Sequence, residues 1–147
     1  MTGVIVTSTR FGTLDVPDDR AIDFGPGLLG FPEGHHYVLV EIEDDEDYFW
    51  IQCVELEDVA FLCIRPWDFF PEYELDVPDD VQEQIGLHDP VDSEVFLLLT
   101  THHEGEELID ITANLLGPII LNSSTLEARQ VVLNTTEYST REPLVAS

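Results

Sequence analysis

The segment TANLLGPIILNSSTLEARQVVLN, residues 112–134, decides the fold class because it is almost free of charge. It holds one acid, Glu127, and one base, Arg129, in a chain of 147 residues with 31 acids and 5 bases. Uncompensated charge is costly inside a closed sheet, so a neutral stretch is typical of strands buried on both faces. We therefore predict two paired central strands, at 115–121 and 131–133, joined by the turn NSST.

Alternation of apolar and polar residues with a period of two recurs along the rest of the chain. Short turn sequences rich in Gly, Asp and Glu separate these segments, which favours antiparallel neighbours. We predict nine strands, at residues 4–11, 13–16, 36–43, 48–55, 59–65, 94–101, 108–115, 119–121 and 130–133.

One segment, LDVPDDVQEQIGLHDP at 75–90, has a helical pattern instead. Val77, Val81 and Ile85 lie four residues apart, acids crowd the first turn, and Gly86 follows the last apolar residue. Such acids suit the helix dipole, and a glycine at this place can adopt the left-handed conformation that ends a helix. Residues 1–147 are thus expected to form a single, mainly β domain: a small antiparallel barrel or sandwich of eight or nine strands with one short helix.

The charge balance points to the kind of partner. The net charge is −26, every base is arginine and there is no lysine. Such a field repels nucleic acid and anionic membranes and favours a basic partner. The alternative is that the acids only solvate the surface or adapt the protein to high salt. No apolar run approaches the roughly 20 residues of a membrane span, and no secretion signal is recognisable, so we expect a cytoplasmic protein. When it is free of partners, we expect it to be a monomer.

No catalytic, cofactor or metal site is expected, and we predict that the protein is not an enzyme. The chain has no nucleophile elbow and no glycine-rich phosphate loop. The histidine pairs at 35–36 and 102–103 would point to opposite faces of their strands, which does not suit one metal ion. Cys53 and Cys63 lie in apolar contexts and are expected to be buried thiols, although neighbouring strands of a hairpin would also allow a disulfide.

The segment RPWDFFPEYELD, residues 65–76, is the candidate site because it mixes aromatic rings, carboxylates and two prolines. Proline breaks strand pairing, so part of the segment should lie on a loop where full burial is difficult. An aromatic anchor with an acidic rim would suit a basic, amphipathic partner. The alternative is that the rings fold inward beneath the helix. The predicted partner-binding residues are Phe69, Phe70, Glu72, Tyr73, Glu74 and Asp76.

Two other functions stay open from the residues alone. The first is a small-ligand binder or hydrolytic barrel whose pocket is closed by the aromatic loops, which would require an interior tunnel with convergent polar groups. The second is an acidic mimic of nucleic acid, which would bind many basic proteins without selectivity.

Seven motifs in register resemble the family of flagellar assembly factors called FliW. They are Phe11-Gly12, DFGPGLLGFPEGHHYVLV at 23–40, YFWIQCVE at 48–55, FFPEYELD at 69–76, TANLLGPIILN at 112–122, RQVVLN at 129–134 and YSTREPL at 138–144. Where that family usually has a glycine before the Arg-Gln pair of the last strand, this chain has Ala128, and Pro78 replaces the usual hydroxyl residue.

The resemblance implies a non-enzymatic partner switch with two protein partners. FliW-like proteins bind flagellin, and they also bind CsrA, a small RNA-binding dimer that represses flagellin translation. Intracellular flagellin would occupy this protein and leave CsrA free to silence the message, and export of flagellin would release the protein to sequester CsrA. Such switching follows mass action.

Overall fold

The computed structural model describes residues 3–8, 12–17, 21–25, 34–42, 45–56, 58–133, 135 and 137–144. Within them the strands are β1 Gly3–Ser8, β2 Gly12–Pro17, β3 Ile22–Asp23, β4 His36–Ile42, β5 Asp45–Cys53, β6 Ala60–Ile64, β7 Ser93–Glu104, β8 Glu107–Ala113, β9 Ile119–Asn122, β10 Glu127–Gln130 and β11 Glu142–Pro143. The helices are α1 Pro66–Phe69, α2 Asp79–Gln84 and the 3-10 turn Pro90–Asp92.

Strands β3 to β7, β9 and β10 close into a barrel. Each of β3 to β7 pairs with the next, β9 pairs with both β7 and β10, and β10 returns to β3. This last contact is a single parallel pair, Glu127 with Asp23, whereas the other neighbours are antiparallel. Of the two predicted architectures, the barrel is therefore the one that forms.

Strand β7 is long enough to pair with two strands along one edge, and it thereby connects the barrel to the rest of the sheet. Its first residues, Ser93 to Phe96, pair with β9 inside the barrel. Its later residues, Leu99 to Glu104, pair with β8, and β11 adds to the outer edge of β8. Strands β1 and β2 form a separate antiparallel hairpin. The sheet thus leaves the barrel at one side and forms an outer flank.

Apolar side chains from every barrel strand fill the interior. The buried members are Ile22, Phe24, Tyr37, Phe49, Ile51, Cys53, Cys63, Phe96, Ile119, Leu121 and Ala128. A void of only about 10 Å³ remains among them, without polar lining surface. A water molecule needs roughly 10–15 Å³ of such space and polar partners, so this void is too small and too apolar for a ligand.

Within the neutral segment, burial on both faces is confirmed for β9, whose four residues are all buried, whereas β10 is only partly buried. Strand β7 is covered on both faces in the same way as β9. On β7, Phe96 points into the barrel, whereas Val95 and Leu97 point outward into two further apolar clusters. On β9, Ile120 likewise packs outward against Ile85 at the end of α2. A strand buried on both faces has no solvent side on which a carboxylate can remain hydrated.

The second predicted central strand is displaced. It was expected at 130–133, but β10 spans Glu127–Gln130 and the next three residues are irregular. The backbone N–H groups of Val131 and Leu133 donate to the carbonyls of Pro118 and Leu116, at 2.9 and 2.8 Å. These bonds continue the register in which Gln130 pairs with Ile119, so the predicted pairing persists to Leu133 without regular strand geometry. The apolar side chains of Val131 and Leu133 cover the outer face of the barrel.

The predicted helix is present as α2, and Gly86 after it has a φ of +64°, the left-handed conformation expected there. The turn NSST supports this helix from the opposite side: the Asn122 amide and the Thr125 hydroxyl both donate to the Ile85 carbonyl, at 2.8 and 3.2 Å. The one-turn helix α1 was not predicted; it falls in the segment that we expected to be a loop.

The two cysteines are free and buried, as expected. The register excludes a disulfide between them, because Cys63 lies opposite Phe49 and so is displaced from Cys53 by four residues along β5. Four residues of strand span roughly 13 Å, beyond the ~7 Å between Cα atoms that a bridge tolerates. Burial raises the pKa of the Cys63 thiol to about 12, so it stays protonated.

Candidate partner-binding surface

The segment 65–76 is anchored to the rim of the barrel at its first residue. The Arg65 guanidinium lies over the rings of Phe49 and Phe96, with Cζ 4.6 and 5.6 Å from the ring centroids. Its Nη2 atom also lies 3.4 Å from the Glu94 carboxylate. Pro66 is buried and starts α1, a position that suits a residue without a backbone N–H.

Tyr73 is the internal anchor of the segment. Its side chain is buried, and its hydroxyl donates to the Leu115 carbonyl at 2.7 Å. Burial, and then the neighbouring Tyr138, raise the pKa of this phenol well above its ordinary value, so it acts as a hydrogen-bond donor throughout the physiological range. The Tyr73 carbonyl accepts the indole N–H of Trp67 at 2.9 Å. Trp67 is 48% exposed, so the ring is held in place while half of it faces solvent.

The C-terminal segment forms the facing wall. The Tyr138 hydroxyl accepts the backbone N–H of Glu74 at 2.8 Å and donates to the Glu74 carbonyl at 3.0 Å. The rings of Tyr73 and Tyr138 pack with their centroids 4.8 Å apart. The Leu115 N–H donates to the Ser139 carbonyl at 3.0 Å, which fixes this wall to the barrel.

Two adjoining grooves lie between these walls. The first groove, of about 610 Å³, is lined by Trp67, Tyr73, Glu74, Leu75, Asp76, Leu133, Thr135, Glu137 and Tyr138. The second groove, of about 810 Å³, is lined by Phe69, Phe70, Pro71, Glu72, Tyr73, Glu74, Leu115, Glu137, Tyr138 and Glu142. Among the residues that the structure describes, five carboxylates and no arginine line the pair. Both grooves are therefore aromatic at the floor and anionic at the rim.

All six residues predicted from the sequence line one or both grooves. Phe69 and Phe70 are half-buried against the outer apolar cluster, whereas Glu72, Glu74 and Asp76 are exposed. Tyr73 differs, because its ring is folded inward and its hydroxyl is already bonded. The Tyr73 ring therefore folds inward and supports the surface from within. The three carboxylates are exposed, as the predicted acidic rim requires.

Among the aromatic and acidic lining residues, the sequence prediction missed four: Trp67, Glu137, Tyr138 and Glu142. Trp67 was visible in RPWDFF, next to the predicted set. The other three come from a segment more than 60 residues away, and only the tertiary structure brings that segment against Glu74.

A second polar cluster lies at the other end of β5. Both Glu55 carboxylate oxygens are bonded: one accepts the backbone N–H groups of His35 and His36 at 2.8 Å each, and the other lies 2.8 Å from Nδ1 of His36. Partial burial by itself would raise the pKa of this carboxyl, but the bonds from His36 and His35 lower it overall. This cluster ties the turn after β5 to the start of β4.

The histidines whose side chains the structure describes lie on the surface. His35, His36 and His88 are exposed, while the side chains at 102 and 103 lie outside the described residues. No group of three potential metal ligands occurs in the part of the chain that the structure describes. Among the same residues, no helix has the length and apolar character that a membrane crossing requires.

The family model described as FliW protein matches residues 5–144, nearly the whole chain. The chain belongs to the FliW family. It is 35% identical over 141 residues to the flagellar assembly factor FliW of Treponema denticola, covering 96% of this chain and 93% of the relative. The FliW of Bacillus subtilis is 32% identical, with 96% of each chain covered.

A solved structure agrees with this assignment. The crystal structure of a flagellar assembly factor FliW superposes with a TM-score of 0.86 at 28% identity and covers 97% of this chain and 98% of that one. The structure also places the two residues, Ala128 and Pro78, at which this chain differs from the usual FliW pattern. The Ala128 methyl group points into the barrel and borders its small void, and Pro78 stands as the residue before α2 without a side-chain cap.

Proposed function

We propose that this FliW family member is a non-enzymatic, cytoplasmic flagellar assembly factor that binds flagellin and antagonises a CsrA-type translational repressor. Its relatives carry the name flagellar assembly factor over almost the same length of chain. The single observation that carries the proposal is the anionic, aromatic pair of grooves in a chain of that family. When free, the protein is proposed to be a monomer.

The electrostatics suit a repressor that binds RNA. A surface that binds an RNA backbone is rich in Lys and Arg. The net charge of −26 on this protein would attract such a surface. The exposed carboxylates Glu72, Glu74 and Asp76 would steer such a surface toward the grooves. The protein itself would not bind nucleic acid.

The apolar floor suits an amphipathic segment such as a flagellin helix. Phe69 and Phe70 are half-buried at the floor of the second groove, and Trp67 is half-exposed at the first. An amphipathic helix typically lays its apolar face into such a groove. Two partners that meet the protein at overlapping surfaces would exclude one another by mass action.

The test uses purified protein, flagellin monomer, the CsrA-type repressor of the same organism and a labelled flagellin leader RNA. The protein should remove the repressor from the RNA in a fluorescence anisotropy assay, and added flagellin should restore the repressor–RNA complex. Calorimetric affinity for the repressor should fall at least tenfold between about 50 and 500 mM salt, because the Debye length shrinks from roughly 14 to 4 Å.

A charge-matched pair of variants separates the surface from the overall field. The triple change Glu72→Gln, Glu74→Gln and Asp76→Asn should weaken the repressor complex about tenfold. A control triple on the exposed β7–β8 turn, Glu104→Gln, Glu106→Gln and Glu107→Gln, removes the same charge and should have a small effect. Equal losses would indicate a mimic of nucleic acid, and absence of both complexes would refute the proposed function.

A further inference from the structure

Deepening the proposed function, and resting on its premise that a protein partner meets these grooves, we infer that the first groove is a receptor for an arginine side chain. The occupant would be an apolar segment of the partner that presents arginine beside its apolar face. The inference assigns a chemical preference to this groove that net charge alone does not predict.

The exposed rings of the first groove offer only their carbon surface. The Trp67 N–H is used by the Tyr73 carbonyl, and the Tyr138 hydroxyl both accepts from and donates to the backbone of Glu74. These bonds hold the rings in one orientation before a partner arrives, which lowers the entropy cost of binding. Since their polar atoms are already engaged, the rings remain as fixed π surfaces, to which a cation is attracted.

Among the residues that the structure describes, no ion pair neutralises the carboxylates around these rings. Glu74, Asp76 and Glu137 line the groove, and neither ion pair identified among the described residues includes any of them. Arg65 is already placed between two barrel rings and Glu94. Arg141, four residues after Glu137, is exposed and takes part in neither of these ion pairs. A cation from outside would therefore meet both π surface and several carboxylates.

A guanidinium suits this groove better than an ammonium group. It is planar, it stacks on aromatic faces, and it binds a carboxylate through two parallel hydrogen bonds. Leu75 and Leu133 supply apolar lining on which the aliphatic stem of an arginine can lie. The groove has room for such a side chain, with a volume of about 610 Å³.

The test uses a synthetic 14-residue amphipathic peptide with a leucine stripe flanked by arginines, together with lysine and citrulline versions. Citrulline keeps the shape of arginine and removes its charge. Binding is followed by the indole N–H resonance of Trp67 in two-dimensional ¹H–¹⁵N spectra, with Trp50 on β5 as the internal control. The arginine peptide should bind about tenfold more tightly than the citrulline peptide and about threefold more tightly than the lysine peptide.

Variants locate the effect. Glu137→Gln and Trp67→Leu should each weaken the arginine peptide about five- to tenfold and reduce its advantage over citrulline, whereas Glu106→Gln should leave both unchanged. Because Trp67→Leu lacks the reporter resonance, calorimetry measures the affinities of all three variants. Equal affinity for arginine and citrulline, or shifts at Trp50 but not at Trp67, would overturn the inference. If the arginine preference fails while flagellin and the repressor still bind, the inference alone falls. If the peptide binds as expected but both proteins do not, only the proposed function falls.

Discussion

The interior of the barrel and the grooves on its flank treat charge in opposite ways. The barrel strands supply most of the interior, whereas α1, irregular segments and β11 line the grooves. The interior contains apolar rings and aliphatic groups around a void of about 10 Å³. The flank uses aromatic residues too, but it surrounds them with carboxylates and leaves open volumes of about 610 and 810 Å³. The comparison shows that the fold is stabilised by exclusion of water in one region and leaves an anionic surface available for binding in the other.

The sharpest test of this contrast is to empty the interior. Phe96→Ala should lower the free energy of unfolding by about 3–5 kcal/mol, because it leaves a cavity among fully packed rings. Val132→Ala is the control, since Val132 is 66% exposed and should cost less than about 0.5 kcal/mol. Denaturant unfolding measures both, and a loss under 1 kcal/mol for Phe96→Ala would mean that the interior is loosely packed.

Tyr73 lies at the border between the two regions, and Tyr73→Phe should cost about 1–2 kcal/mol of stability. The change keeps the ring but leaves the buried Leu115 carbonyl without its hydroxyl donor. Thermal unfolding followed by circular dichroism gives the comparison with the wild type. Unchanged stability would show that water replaces the hydroxyl, and that the groove wall is wetter than the interior.

Replacing Glu55 measures how much a hydrogen-bonded carboxylate near the end of the barrel contributes to the free energy of unfolding. Its pKa is lowered in the folded protein, so its contribution to stability is present above its unfolded pKa of roughly 4.3 and is lost as the pH falls through the folded value. Glu55→Gln should cost about 0.5–1 kcal/mol at pH 7, a modest figure because the side chain is 32% exposed. The difference between variant and wild type should narrow below about pH 4. A gap that is constant from pH 7 to pH 3 would contradict the assigned role.

The smallest expected effect on stability belongs to Trp67, although it is a large residue. Trp67→Leu should change the free energy of unfolding by less than about 1 kcal/mol, because half of the ring is already exposed. The same variant should weaken partner binding much more. A large loss of affinity with a small loss of stability distinguishes a binding residue from a core residue. Denaturant midpoints and calorimetric affinities, measured on one preparation, give the two numbers.

Much of this molecule is predictable from local patterns, and the failures have one physical origin. The alternating segments located most of the strands, and spacing together with Gly86 located α2 and its end. Segment 131–133 shows the limit: its backbone continues the pairing of β10 with the segment before β9, and the side chains of Val131 and Leu133 cover the outside of the barrel. An apolar pair looks the same in sequence whether it extends a sheet or covers one.

The candidate surface also contains some residues that the sequence predicts and others that only the tertiary structure reveals. The carboxylates and phenylalanines of 69–76 were identifiable because aromatic rings beside acids and proline are unusual in a strand-rich chain. The inward turn of Tyr73 and the recruitment of Glu137 and Tyr138 were not, since both depend on contacts across at least 42 residues.

The sequence by itself determined a mainly β domain, an uncharged centre and the placement of the acids outside it, because a charge loses its hydration in a sheet covered on both faces. The tertiary structure decided that the sheet closes as a barrel, that apolar side chains from every barrel strand meet in its interior, and that a distant C-terminal segment completes the anionic grooves. Closure and groove shape depend on register and long-range packing, and these are set by the whole chain rather than by any one segment.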